Sequence, residues 1–366
     1  MEQNCSKKIK SKRKTRRRFL FAVLILLSAA VFMFIVLPNK QHRLSNTDGS
    51  NSVADAGCEY TADIIETASP MSSNYPKTIP QPMLTYEPYV LLTAEPARAG
   101  VLINGPVRNE DVTFLSRGVQ VTATVCMPES VTPCPVVVMA HGYGGEKHAH
   151  GGFTHIANAL YDNGVASIRF DFSGCGDSSE PSTAYCLTEM MLDLKNAGEY
   201  MINNFYVDAT KLGLIGYSLG GRAVLEALAV SMVKPNAVML IAPAASTTDF
   251  IRLIGGENVW QTKMAETMEK GKTNLAGMNL GYAFFSEMDA CESPTEVAAA
   301  SYNGKTIVVY SDDDQAVSPI VSFSVADALN SQTLVLNGAG HICGLQGDPE
   351  NQHLSLIIAL AVVFFR

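Results

Sequence analysis

Six consecutive apolar residues, Pro135-Val136-Val137-Val138-Met139-Ala140, constrain the fold of this chain most strongly. A strand with one wet face alternates apolar and polar side chains, whereas one that is apolar throughout is covered on both faces, as in a parallel sheet flanked by helices. The pattern then repeats. A helix over 152–163 leads to a strand over 165–170, a helix over 187–205 to a strand over 211–215, and a helix over 222–230 to a strand over 237–241. A strand over 306–310, a helix over 320–329 and a strand over 332–336 complete the series, and the apolar tail 354–365, too short to span a bilayer, fits a closing helix. This alternation predicts a doubly wound, mostly parallel α/β sheet. Ahead of it, 112–115 and 119–125 alternate around Arg117-Gly118 as an antiparallel hairpin would, and 86–92 reads as an edge strand.

The rhythm breaks at about 250–301, which reads as a small insertion over the sheet edge, after the strand over 237–241. Trp260, Met264 and Met268 recur there at helical spacing, followed by a Gly-rich aromatic stretch. Such a stripe packs a helix on its core. Lying over the sheet, Trp260 and Met264 are also candidate pocket residues.

The N-terminus has a different character. Residues 1–18 hold nine Lys/Arg and one acid, and leave 18 basic and 34 acidic residues for the rest of the chain. So acidic a body excludes nucleic acid as partner, because affinity there comes from clustered cations on phosphate. Residues 19–37 carry no charge, and a 19-residue helix spans about 29 Å, the thickness of a bilayer's hydrocarbon core. The expected layout is a basic cytoplasmic head (1–18), a transmembrane anchor (19–37), a polar linker (38–85) and one catalytic domain (86–366). The positive flank places that domain outside the cell membrane. The alternative is a cleaved signal peptide and a secreted protein.

Gly216-Tyr217-Ser218-Leu219-Gly220-Gly221 sits where the strand over 211–215 turns into a helix, the setting of a nucleophile elbow. A serine nucleophile needs a base, an acid that orients the base, and donors for the oxyanion. His341, in a Gly-rich loop after the last strand, is the candidate base. Asp312, Asp313 and Asp314 lie between serine and histidine in chain order, with Asp249 a weaker alternative acid. For the oxyanion, the backbone N–H of Leu219 follows the nucleophile, and that of Tyr143 lies in His141-Gly142-Tyr143-Gly144-Gly145. His141 itself precedes the nucleophile and ends a strand, so it reads as a loop brace.

Four motifs in order, His141 to Gly145, Phe170-Asp171-Phe172-Ser173-Gly174-Cys175-Gly176-Asp177-Ser178, Gly216 to Gly221 and Gly340-His341, resemble the α/β-hydrolase superfamily, in particular short-chain and cinnamoyl (feruloyl) esterase-like serine hydrolases. The resemblance covers roughly 110–366 and implies that fold, with a cap inserted after the sixth strand. It implies a catalytic triad of Ser218, Asp314 and His341. Asp314 is selected by a Gly-x-x-Asp-x-x-Val register in which Ser311 replaces Gly, and Cys175 stands where such relatives often have His.

The expected function is therefore a serine hydrolase cleaving small carboxylic esters through an acyl-enzyme, without cofactor or metal. Alternatives are a serine peptidase or aminopeptidase of the same fold, or a non-catalytic surface binding protein. His148, His150 and His155 cluster in sequence, but no Cys or carboxylate completes a zinc spacing. Cys126 and Cys134 flank a short turn within bridging reach of each other.

Overall fold

The computed structural model describes residues 102–348 and 350–366. The proposed head, anchor, linker and edge strand 86–92 lie outside them, and among the described residues no helix is long and apolar enough to cross a membrane.

Eight strands form one sheet: β1 (Val107–Ser116), β2 (Val119–Met127), β3 (Cys134–Ala140), β4 (Ala166–Phe170), β5 (Val207–Tyr217), β6 (Ala237–Ile241), β9 (Lys305–Ser311) and β10 (Gln332–Leu336). The order is β1-β2-β4-β3-β5-β6-β9-β10. Pairing is antiparallel from β1 to β2 and β2 to β4, and parallel everywhere else. In β4 and β6 every residue is buried, as strands covered on both faces must be.

Helices fill both faces. On one side α1 (Gly152–Asp162) and α9 (Gln352–Phe365) pack together, with Ile156, Leu160, Leu354, Ile357 and Leu360 in one apolar cluster. On the other, α2 (Leu187–Asn204), α3 (Leu219–Ala229) and α8 (Pro319–Ala328) close a second cluster. Asn351 caps α9, its side-chain oxygen accepting from the backbone N–H of His353 and Leu354.

The insertion after β6 contains α4 (Thr247–Leu253), α5 (Glu257–Lys270), a two-stranded hairpin of β7 (Thr273–Leu275) and β8 (Met278–Leu280), α6 (Tyr282–Asp289) and α7 (Thr295–Ser301). It reaches beyond the sheet edge, since Leu275 and Ala276 at the hairpin turn wall the same cavity as Gly142 and Ser218. One buried side chain ties the start of the insertion to the loop between α6 and α7. Arg222 of α3 donates to the carbonyls of Ala245 (3.1 Å) and Glu292 (3.2 Å) and, with its other terminal nitrogen, to Cys291 (2.7 Å). Its Nε pairs with Glu226 one turn on, at 2.8 Å. A guanidinium fully out of water is tolerated because all of these acceptors meet it.

Candidate active site

Ser218 occupies the single residue between β5 and α3, with φ 53° and ψ −120°. A non-glycine residue in that region costs of order 1–3 kcal/mol, so its surroundings must impose it. They do: its N–H donates to the carbonyl of Ile241 (2.9 Å), and its own carbonyl accepts from Gly221 (2.9 Å), Arg222 (3.2 Å) and Ala244 (3.0 Å). The turn is tight enough that a Cβ on Gly216 would lie 2.7 Å from the Cα of Gly221. Glycine at 216 is thus a steric requirement of the elbow.

His341 lies in the turn after β10. Its Nε2 is 2.8 Å from the Ser218 hydroxyl and its Nδ1 is 2.8 Å from the Asp314 carboxylate. A carboxylate only accepts, so Nδ1 carries the proton and Nε2 presents its lone pair to the serine O–H. The other oxygen of Asp314 accepts from the backbone N–H of Ala316 (2.8 Å) and Val317 (2.9 Å), and its side chain is 1% exposed.

Each neighbouring aspartate has another partner. Asp313 accepts from the Ser311 hydroxyl (2.6 Å) and the N–H of Gly340 (2.8 Å), two bonds that hold its carboxyl below the usual carboxylate range. Asp312 accepts from the N–H of Gly338 at 2.9 Å. These two brace the loop that presents His341. Asp249 is directed elsewhere, toward the N–H of Ser318 (2.8 Å) and the guanidinium of Arg252 (2.8 Å).

The N–H groups of Tyr143 and Leu219 have no protein acceptor among the described residues, and both residues line the cavity over Ser218. The Tyr143 side chain is fixed from above: its hydroxyl donates to the carbonyl of Leu275 in the insertion hairpin at 2.6 Å. His141 is fully buried and holds two loops together. Its Nε2 accepts from the N–H of Phe172 (3.1 Å), which leaves Nδ1 as donor to the carbonyl of Gly142 (2.8 Å), and burial pushes its pKa down. A neutral brace results. Below it, Asp171 accepts from the Lys147 N–H (2.7 Å), the Lys147 ammonium (3.0 Å) and the Thr122 hydroxyl (2.8 Å). That carboxylate locks the Phe170 to Ser178 motif to the Tyr143 loop. Cys175 within the motif is a buried thiol whose pKa burial pushes up to about 12.

A family model described as the alpha/beta hydrolase fold matches residues 135–284. This is an α/β-hydrolase fold. Among solved structures, Est1E from Butyrivibrio proteoclasticus with ferulic acid bound fits at TM-score 0.58 and 20% identity, covering 69% of this chain and 97% of that one. The esterase domain of a Rhodothermus marinus protein fits at TM-score 0.50 and 22% identity, covering 70% and 99%. Among curated proteins, the quorum-quenching protein AidA of Acinetobacter baumannii is 31% identical over 129 residues, 35% of this chain and 42% of that protein. An uncharacterized 31.7 kDa Escherichia coli protein matches at 30% over 115 residues, 31% of this chain and 39% of its own. The chain thus spans about two fifths of the length of the curated relatives it matches.

A cavity of about 600 Å³ opens over Ser218 and His341. Its walls are apolar, from Phe250, Leu253, Ile254, Leu275, Val317 and Val321. Trp260 and Met264, expected at the pocket, do not line it. Trp260 is wholly buried one layer behind: its indole N–H donates to Asp289 at 2.7 Å, and its ring meets Phe250, the wall residue, edge to face at 6.1 Å. Met264 is half-buried against the same core. Trp260 and Met264 thus pack α5 onto the core, Met268 is exposed (56%), and Phe250 takes the position in the wall. The aromatic signal was present in the sequence there too, but Phe250 stands at the very start of the insertion, away from the periodic run.

The three clustered histidines make separate contacts. His148 Nδ1 lies 3.0 Å from the Thr154 hydroxyl and His155 Nε2 2.9 Å from the carbonyl of Gly347, while His150 lines the cavity. Cys126 and Cys134 are buried free thiols, not a bridged pair.

Proposed function

We propose that this chain is a serine hydrolase that cleaves carboxylic esters through an acyl-enzyme. The observation that carries the reading is the unbroken proton path from Ser218 through His341 to Asp314, with both links at 2.8 Å. Ser218 Oγ attacks the ester carbonyl carbon as His341 Nε2 takes its proton. The oxyanion is held by the N–H groups of Tyr143 and Leu219, and Asp314 stabilises the imidazolium. His341 then protonates the departing alcohol, and a water, deprotonated by the same nitrogen, releases the acid.

An ester fits the cavity better than a peptide N-terminus. Asp249, a carboxylate in the cavity wall, is already paired with the Arg252 guanidinium and bonded by the Ser318 N–H, so its charge is offset and an incoming ammonium would meet a cation beside it. The test is turnover of p-nitrophenyl butyrate together with labelling by a fluorophosphonate probe. Wild type is expected to show both and Ser218→Ala neither; an active Ser218→Ala variant overturns the assignment.

The same proposal places the catalytic domain outside the cell membrane, held by the uncharged run 19–37 behind its basic head. Protease added to intact cells should then remove the domain, and a protected domain would contradict it.

A further inference from the structure

We propose that the ester this site takes carries a long apolar acyl chain whose tail leaves the cavity between α4 and α8. The inference rests on the esterase reading above and names its substrate class. The cavity wall itself reaches the surface. Leu253 lines the cavity and is 45% exposed, so the apolar lining reaches solvent at the end of α4. Across from it, Val317, just ahead of α8, and Val321, in the first turn of α8, line the same cavity.

The two helices are held side by side. Asp249, one turn before Leu253, accepts the N–H of Ser318, the residue that opens α8, at 2.8 Å. This bond sets Leu253 and the Val317 to Val321 segment on either side of one mouth. No Lys or Arg is among the lining residues, and the single carboxylate, Asp249, is already bonded. Beside the reacting residues the lining offers few polar side chains, His150 and Ser246 among them, so a charged or strongly polar acyl group would lose more hydration there than it regains. An alkyl chain would gain with each methylene moved from water onto Leu253, Ile254 and Val321.

The experiment uses the full chain in mixed micelles with p-nitrophenyl esters from acetate to laurate, comparing wild type, Leu253→Asn, Val321→Asn and the distant surface variant Val131→Asn. Wild-type kcat/KM is expected to rise about two- to fourfold per methylene up to at least octanoate. The two mouth variants should lose at least tenfold more on laurate than on acetate, and Val131→Asn should follow wild type throughout. A wild-type kcat/KM that falls beyond butyrate overturns the proposal and leaves the esterase reading standing, as do mouth variants that lose equally on both esters. No turnover of any ester, with no fluorophosphonate labelling, overturns both.

Discussion

Gly220 lies beneath the carbonyl of Ala140, so close that a Cβ at position 220 would stand 2.3 Å from that oxygen. In an ordinary helix Gly→Ala is stabilising, by up to about 1 kcal/mol. Here the sign reverses. The clash is with backbone of β3 and the loop it feeds, which cannot swing aside. Gly220→Ala should lower stability by about 1–3 kcal/mol, a fall in melting temperature of roughly 5–10 °C, and shift Ser218 away from His341. Calorimetry and ester turnover check both; a more stable, fully active variant would refute the account.

The three adjacent aspartates should separate cleanly. Asp314→Asn leaves the shape intact but offers His341 the wrong partner, so kcat on an ester should fall by about 10⁴. Asp313→Asn removes a loop brace and should cost far less, within about tenfold. Steady-state kinetics on both variants decide it, and the reverse ranking would move the acid to Asp313.

Tyr143→Phe deletes the hydroxyl that the Leu275 carbonyl accepts and leaves that carbonyl without its bond, a change worth about 1–3 kcal/mol if it stays buried. Because the N–H of the same residue faces the reacting oxygen in our mechanism, loosening it should reduce kcat more than it raises KM. Hydrogen exchange in β7 and β8 should accelerate in parallel. Unchanged exchange with unchanged kcat would mean that the hydroxyl holds nothing.

Asp193 provides a pH test distant from the reacting atoms. Burial is the largest influence on it and pushes its carboxyl up to about 6, against the pull of Arg117 (Nε at 3.0 Å) and the Ser116 hydroxyl (2.6 Å). The folded state therefore holds this proton more tightly than the unfolded chain, whose aspartates titrate near 3.9. Between about pH 4 and pH 6 the unfolded form has lost the proton while the folded form still keeps it. The contribution of Asp193 to stability thus falls as pH rises through that window, by up to ~3 kcal/mol. Asp193→Asn should lose this slope, as denaturant midpoints against pH will show. Parallel profiles for the two proteins would contradict the shift.

Much of the sheet is legible because burial on both faces leaves an unbroken apolar run. The limits of β6 coincide with its run, and β3 and β4 lie within one residue of theirs; the limits of β10 also match, although it is an edge strand that is mostly exposed. β5 begins four residues before its apolar run because Val207 to Thr210 is only half covered. The insertion hairpin was not legible. Its strands are three residues each, and the turn places positive φ on Ala276 and Gly277, where Ala gives none of the Asn-Gly signal such turns usually carry. Ser218 and His341 follow from motif order, since each must leave the carboxyl end of a strand, whereas order alone leaves three aspartates and only the register of the resembling family selects Asp314. The buried cations do not. Arg117, Lys147 and Arg222 read as surface charge until their long-range acceptors, 23 to 76 residues away, are in view. For Arg222 alone a hint exists, a lone Arg in the otherwise small and apolar first turns of α3.

Arg222 also has a meaning for the history of this chain. The segment between Ala245 and Cys291 begins and ends at one guanidinium, one helical turn beyond Ser218. A segment whose ends are anchored at a common point can lengthen, shorten or be exchanged without straining the strands that position the reacting groups. The cap is in that sense a replaceable part: the sheet and its three polar residues can stay constant while selection, or an engineer, substitutes what covers them.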